Sequence, residues 1–339
     1  MTIGIPVYRA VDYIEATMRS ALAQTYADVE FLVVDDCGGD GTISVVERLQ
    51  REHPRGCDIR ILRNAENQGV GKSRNRIIDE AQGTYLYFLD SDDTIEPNTI
   101  ELLMDAMSQH HAEVVYGSYE KVDNVGNMPT EHYVYPSLRL LHEDDLATYV
   151  FTHYGTFQVS VCNCLLNLHF LRHTRLRFLD AMFWEDMAFT YDLVTMVSRA
   201  VLLPDITYHY LCRPYSLSNY HDRQQLDREE ILQNASTVDY LKWKGYRLRD
   251  KPYVGDFCYN LGMNSIYIVC HVLKHRQRIV PPILNRELRQ MMRHPMLLRQ
   301  VVRLRHKRLA NLLLWLLPHL PLPVFMRSVT LFGKQKHIL

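Results

Sequence analysis

The sequence predicts an α/β fold: a mostly parallel central sheet with helices on both faces, followed by a mainly helical C-terminal region. Three observations carry this. Apolar runs alternate with stretches of helical spacing over the first 120 residues. Several of those runs end in acidic residues. From about residue 226 to 317 the apolar spacing is predominantly helical.

Taken in order, Ile3–Val7 is a short apolar run, and Tyr13, Ile14, Met18, Ala21 and Leu22 then recur at helical spacing. Val29–Val34 is a continuous apolar run, as a strand buried on both faces requires, and Asp35-Asp36 follow it. Ile43, Val46 and Leu49 predict a second helix and Ile59–Leu62 a third strand. Gly71–Ala81 reads as a helix, and Tyr85–Leu89 as a fourth strand running into Asp90. Pro97–Gln109 is a helix opened by Glu96-Pro97, and Val114–Tyr119 a further strand. Leu146–Tyr154 and Met187–Val197 also read as helices, while the rest of 120–225 shows no clear period. Parallel sheets of this kind bind ligands beyond the carboxyl ends of their strands. Those ends carry Pro6-Val7-Tyr8, Asp35-Asp36 and Asp90-Ser91-Asp92-Asp93, which makes that edge the candidate site.

Composition narrows the function classes. The 339 residues are 47% apolar and 23% charged, with 14 Pro and 15 Gly, which excludes a disordered or fibrous chain. The formal net charge of −1 hides a split. Residues 271–339 carry 14 Lys/Arg against the single acid Glu287, leaving 24 basic and 38 acidic residues in 1–270. A basic end of this kind faces an anionic membrane surface, a nucleic acid or the acidic body of the chain itself. Nucleic acid is the poorest of these, because aromatic platforms are not interleaved with the charges. Arg299, Arg303, Arg305, Lys307 and Arg308 precede the apolar stretch Leu309–Leu317. That order fits a segment lying in a headgroup region, and fits equally a helical bundle with solvated arginines. The stretch stops at Pro318 and is too short to span a bilayer. The N-terminus, Met1 to Pro6, lacks a basic region followed by an apolar one, so the expected location is cytoplasmic. Seven irregularly spaced cysteines, with a lone Cys162-x-Cys164, predict reduced and mostly buried thiols rather than a zinc site.

Three segments together carry a family resemblance: IPVYRAVDYIEATMRSALAQTYADVEFLVVDDCGGDGT, NQGVGKSRNRIIDEAQGTYLYFLDSDD and WEDMAF. They resemble the inverting glycosyltransferases of family 2, of the bacterial surface-polysaccharide type, which have the nucleotide-sugar-binding GT-A fold. The resemblance is dense over 3–120, thinner over 120–220 and absent after about 225. It implies a nucleotide-sugar-binding half at 1–120, an acceptor-binding half with the catalytic base at 121–225, and a basic helical extension at 226–339.

The resemblance also implies roles. Asp90-x-Asp92 matches the family's DXD motif, with Asp92 the expected ligand of Mn2+ or Mg2+. Asp90 is expected at the donor ribose or at the metal, Ser91 beside them at the donor, and Asp93 in reserve. Asp36 matches the residue that accepts the imide N–H of uracil, pointing to a UDP-sugar. Tyr8 is expected to stack on the base or close the pocket beside Pro6, and Asp35 to make an Asx turn. Cys37 interrupts the commoner loop pattern and is not read as a nucleophile. Arg74 matches the family arginine near the base or diphosphate, whereas Lys72 is read as a solvated charge. Asp186 matches the base that takes the acceptor hydroxyl's proton, with Glu185 second. Trp184 beside them is read equally as an acceptor platform or as core. Arg213 is expected to clamp the diphosphate from an Arg-x-x-Ser loop ending at Ser216, with His209 as an auxiliary group.

The expected function is thus metal-assisted, inverting transfer of a hexosyl or N-acetylhexosaminyl group from a UDP-sugar to a glycan or lipid-linked glycan. The expected place is peripheral, on the inner face of the plasma membrane. The alternatives are a sugar nucleotidyltransferase and a non-catalytic, membrane-tethered nucleotide-sugar binder. Val7-Tyr8-Arg9-Ala10 has no glycine where a nucleotidyltransferase carries a glycine-rich loop. Asp36, Asp92 and Asp186 together speak against a dead enzyme.

Overall fold

The computed structural model describes residues 1–123, 128–153, 157–181, 184–213 and 225–339. The chain divides into two units. One comprises Met1–Leu146, Gln158–Asp180 and Glu185–Pro214, the other Ala147–Phe157, Ala181–Trp184 and Tyr215–Leu339.

The first unit is built on a ten-stranded sheet. Its elements begin β1 (Thr2–Val7), α1 (Ile14–Leu22), β2 (Glu30–Asp35), α2 (Thr42–Glu52), β3 (Ile59–Arg63), α3 (Val70–Glu80) and β4 (Tyr85–Phe88). They continue with β5 (Thr94–Ile95), α4 (Thr99–His110), β6 (Val114–Asp123), β7 (Pro129–Tyr133) and β8 (Leu138–Leu140). Helix α5 (Asp145–Thr152) leads out of this unit, and β9 (Cys164–Asn167), α6 (Leu168–Thr174), α7 (Glu185–Met196) and β10 (Ala200–Cys212) complete it. The order along the sheet is β3-β2-β1-β4-β9-β6-β10-β5, with β7 on β6 and β8 on β10.

Strands β1 to β4 are mutually parallel. Strand β9 is antiparallel to both β4 and β6, so β6 runs with β4, and β10 is parallel to β6. Six strands therefore run one way and present their carboxyl ends at one edge. Phe31, Leu32, Val33 and Val34 of β2 have 0% exposure, as strands covered on both faces require. The packing is close: a Cβ on Gly4 of β1 would lie 2.4 Å from Ile77 Cγ2 of α3.

The elements read from the sequence up to residue 119 are present, with ends shifted by a few residues. Strands β7 to β10 were not legible. In β10 the apolar alternation is broken by exposed Pro204 and Asp205, and the register slips between Leu202, Ile206 and Tyr208. The helix expected at Leu146–Tyr154 is α5; Tyr154 lies outside the described residues.

The second unit is helical. It contains the parallel pair β11 (Leu226–Asp227) and β12 (Ile279–Val280), with α8 (Arg228–Arg247), α9 (Val254–Lys274), α10 (Asn285–Met291), α11 (Leu298–Val301), α12 (Arg308–Leu316) and α13 (Leu322–Gln335). Asp227 caps α8 by accepting from Glu229 N at 2.9 Å. Most of α9 is buried, including Phe257, Leu261, Val269 and Cys270. No described helix is long and apolar enough to cross a membrane. All seven cysteines are free; Cys162, Cys164, Cys258 and Cys270 are buried, and Cys37 and Cys57 are exposed.

Candidate active site

The shared strand direction brings Val7-Tyr8, Asp35-Asp36, Asp90, Glu120 and His209 to one edge. Pro6 is buried in β1 opposite Val34, and Tyr8 is 41% exposed just beyond the strand, with Arg9 5.1 Å from its ring centre. Asp35 accepts from Cys37 N at 3.1 Å and Gly38 N at 3.4 Å, making the Asx turn expected of it.

Asp36 is held by the chain on its buried side. It is 3% exposed, and its Oδ1 accepts from Asn64 Nδ2 at 2.6 Å and Gln68 N at 2.9 Å, while Oδ2 accepts from Gly69 N at 2.8 Å. Three of roughly four acceptor positions are filled by the chain itself. Asp36 thus anchors the loop that opens α3. Gly69 suits that loop because its φ is +88°, a conformation that disfavours a side chain.

Arg74 is likewise held from within the chain. It is 3% exposed, and its guanidinium holds three carboxylates. Nη2 donates to Asp90 Oδ1 at 2.9 Å, and Nη1 donates to Glu185 Oε1 at 3.0 Å and Asp186 Oδ1 at 2.5 Å. Its plane lies 5.4 Å from the Phe178 ring. Burial opposes the charge, but Asp186 and Asp90 hold Arg74 protonated, well above its ordinary range. Close approach of α3 makes this possible: a Cβ on Gly71 would lie 2.8 Å from Leu179 O and 3.6 Å from Glu185 Cγ. Lys72 points elsewhere, to Asp180 at 2.9 Å on an exposed surface, as its reading as a solvated charge requires.

The two acidic motifs are thus joined through one cation. Glu185 and Asp186 open α7, directly after Trp184 with its φ of 61°. Burial pushes Glu185 upward against Arg74. Burial, with the charges of Glu185 and Asp90, outweighs Arg74 at Asp186 and pushes it up to about 8. Cys162, expected only as a buried thiol, hydrogen-bonds Asp90 and is pushed up by burial and by that carboxylate.

Asp92 and Asp93 are adjacent but differ in kind. Asp92 is 18% exposed at its side chain and pairs with Arg213 Nε at 2.5 Å. Burial and the Asp90 charge raise it. Asp93 is 1% exposed, with Oδ2 accepting from Tyr208 OH at 2.6 Å and Oδ1 from Leu211 N at 2.8 Å. Asp93 is therefore a clamp on β10. Ser91 lies half-buried in the turn between Asp90 and Asp92.

Arg213 also lies 5.1 Å from the Tyr13 ring. Ser216, the far end of the expected Arg-x-x-Ser loop, lies outside the described residues. His209 is bridged between Glu120 at 2.9 Å and Glu96 at 3.0 Å, a satisfied histidine. It lines a cavity of about 420 Å³ with Asp12, Tyr13, Asp92 and Glu120. Asp12 and Glu120 were not singled out from the sequence, and Tyr13 only as part of a helical apolar pattern. Glu120 follows the run read as a strand at Val114–Tyr119, so the strand-end rule alone points to it.

The residues fit a hard divalent cation. Asp90, Asp92, Glu185 and Asp186 oppose only Arg74 and Arg213 in these ion pairs. Arg213 occupies Oδ2 of Asp92, which leaves its Oδ1, while Asp90 is engaged by Arg74 at Oδ1 and by the Cys162 thiol. Among the described residues no group of three or more His, Cys, Asp or Glu is arranged to hold an ion. A cation at Asp90 and Asp92 would draw further ligands from phosphate oxygens and water, as Mg2+ characteristically does.

The Glycosyl transferase family 2 sequence profile matches residues 2–166. A UDP-Glc:alpha-D-GlcNAc-diphosphoundecaprenol beta-1,3-glucosyltransferase of Escherichia coli is 36% identical over 124 residues, covering 37% of this chain and 47% of that protein. The matched segment spans about half or less of the length of such curated relatives. Among solved structures, S. aureus TarS 1-349 in complex with UDP-GlcNAc aligns with a TM-score of 0.54 and 16% identity over 94% of this chain and 89% of that one. The mannosyltransferase PcManGT from Pyrobaculum calidifontis, in complex with GDP-Man and Mn2+, aligns with a TM-score of 0.52 and 15% identity over 81% of this chain and 74% of that one. At such identities the likeness is one of fold, and the fold is GT-A.

Proposed function

Residues 2–166 belong to glycosyl transferase family 2, and from that premise we propose that the chain transfers a sugar from a UDP-sugar to a glycan or lipid-linked glycan by inverting single displacement. The observation that carries this reading is the Arg74 hub, which ties Asp90 of the DXD motif to Glu185 and Asp186. A leaving-group end and a proton-accepting end are thereby held in one rigid frame, as a displacement in which both events coincide requires.

In this reading Asp186 takes the proton of the acceptor hydroxyl, and its raised affinity for protons suits that task. Glu185 and Arg74 hold it in place. Tyr8 and Pro6 form the wall for the base, Ser91 and Asp90 face the donor, and Arg213 turns from Asp92 toward the diphosphate. Asp92 and Asp90 would hold manganese or magnesium, which when bound would neutralise charge on the leaving diphosphate. The cavity bounded by Tyr13, Glu120 and His209 offers an aromatic face and hydrogen-bonding groups suited to a sugar ring. The acceptor is membrane-borne in this reading, and the enzyme works peripherally at the inner face of the plasma membrane.

Calorimetric titration with UDP, GDP and CDP, each with Mn2+ or with EDTA, tests the donor class. Manganese-dependent, UDP-selective binding is expected. Absence of nucleotide binding in a folded, manganese-loaded sample would sink the enzyme reading.

A further inference from the structure

The second unit concentrates positive charge. Residues 288–339 contain no Asp or Glu and carry ten Lys or Arg. Within that unit α12 is pinned along one side. Asn311 Nδ2 donates to Gly255 O at 2.8 Å, and Leu314 fills the space beside Gly262, where a Cβ would lie 2.5 Å from Leu314 Cδ1. Helical spacing turns Leu309, Leu313 and Leu316 to the other side, where they are 76%, 69% and 43% exposed. Single exposed leucines are ordinary; three on one helix face form an uncovered stripe.

Next in sequence to that helix lies a groove of about 670 Å³ lined in part by Arg249, Lys251, Arg299, Arg303, Arg305 and His306. The acid in its lining, Asp250, is paired with Arg249 at 3.3 Å. Phosphate oxygens suit such a guanidinium-rich concavity.

We propose that the basic groove and the leucine stripe of α12 together seat this unit on an anionic phospholipid surface, with headgroup phosphates in the groove and the leucines in the interfacial layer. Charge selects this occupant. A second copy would bring its own residues 288–339, ten Lys or Arg with no acid, against these, whereas an anionic leaflet neutralises them and accepts the apolar stripe. A nine-residue helix reaches only about 14 Å, so it lies in the interface and does not cross. Docking of this kind deepens the proposed function and presupposes its membrane-borne acceptor.

The test is flotation of the full chain with vesicles of phosphatidylcholine alone or mixed with phosphatidylglycerol, at low and high salt. The expected result is binding to the mixed vesicles only, weakened by salt. Arg299→Ser, Arg303→Ser and Arg305→Ser combined should lower vesicle affinity about a hundredfold. Leu309→Ser with Leu313→Ser should abolish flotation, with thermal melting and UDP binding in solution unchanged. Flotation unmoved by both sets of substitutions overturns the proposal. So does absence of flotation with tight pyrophosphate binding lost in the arginine variant, which assigns the groove to a soluble anion. Salt-resistant dimers that dissociate in the leucine variant also overturn it. The calorimetric nucleotide titration fails or succeeds independently: flotation without UDP binding keeps the docking face and sinks the transferase reading.

Discussion

Arg74 and Asp90 meet at 2.9 Å, and the same guanidinium reaches Glu185 at 3.0 Å. A single buried cation thus connects two acidic motifs on separate elements, the strand-end DXD and the first turn of α7. Removing it leaves three carboxylates facing one another without compensation. Breaking a buried pair in this way costs about 3–5 kcal/mol. Arg74→Ala should therefore lower the urea midpoint by that equivalent, and Arg74→Lys, which keeps the charge but loses the fork, by less. Equal stability of wild type and Arg74→Ala in denaturant titration would show that the hub does not hold the site together.

Asp92 and Asp93 separate cleanly. Asp92→Asn should abolish the manganese dependence of UDP binding with little change in melting temperature, because the side chain is partly exposed and its partner Arg213 is too. Asp93→Asn should do the opposite. It weakens the grip on Tyr208 and Leu211 at a cost of about 1–3 kcal/mol while keeping metal-dependent binding. Calorimetry with Mn2+ beside thermal melting reads both. Loss of the manganese effect in Asp93→Asn alone would reverse the assignment.

Asp36 gives a third expectation. Asp36→Ala removes the acceptor of Asn64 Nδ2, Gln68 N and Gly69 N together. Hydrogen bonds to a charged group contribute about 1.5–3 kcal/mol each, so the 64–69 loop should open and become protease-sensitive. Limited proteolysis followed by mass spectrometry locates the cut. A variant that resists cleavage there and loses only UDP selectivity would assign Asp36 to reading the base and not to holding the loop.

The contrast between Asp92 and Asp93 also shows what the sequence could carry. Continuous apolar runs such as Val29–Val34 were legible because a strand covered on both faces has no polar alternation to hide it. The acidic residues after them were legible as a site because such sheets bind at strand ends. The fate of each carboxylate was not. Arg74 finds Glu185 and Asp186 at separations of 111 and 112 residues, which no local pattern encodes. Asp93 is buried only because β10 returns Tyr208 and Leu211 over it, and β10 was hidden by Pro204, Asp205 and two register shifts. The stretch Leu309–Leu317 reads as apolar apart from Asn311, yet Asn311 and Leu314 face inward while Leu309 and Leu313 face out.

The proton balance at Asp186 yields the last prediction. Burial, then the negative charges of Glu185 and Asp90 against the opposing Arg74, push Asp186 up to about 8 in the free protein. A base acts only when deprotonated, so kcat/KM should rise with pH up to about 8 and fall about tenfold per unit below it. Asp186→Asn should lower kcat by about 10²–10⁴ with UDP affinity retained. Glu185→Gln removes a neighbouring negative charge, which makes the Asp186 carboxylate easier to ionise. The acid limb of the profile should then move to lower pH, not higher. Transfer rates measured from pH 5.5 to 9.5 in the wild type and Glu185→Gln decide the matter. An acid limb that stays in place when Glu185 is neutralised means the titrating group is elsewhere, and Asp186 then loses its assignment as the base.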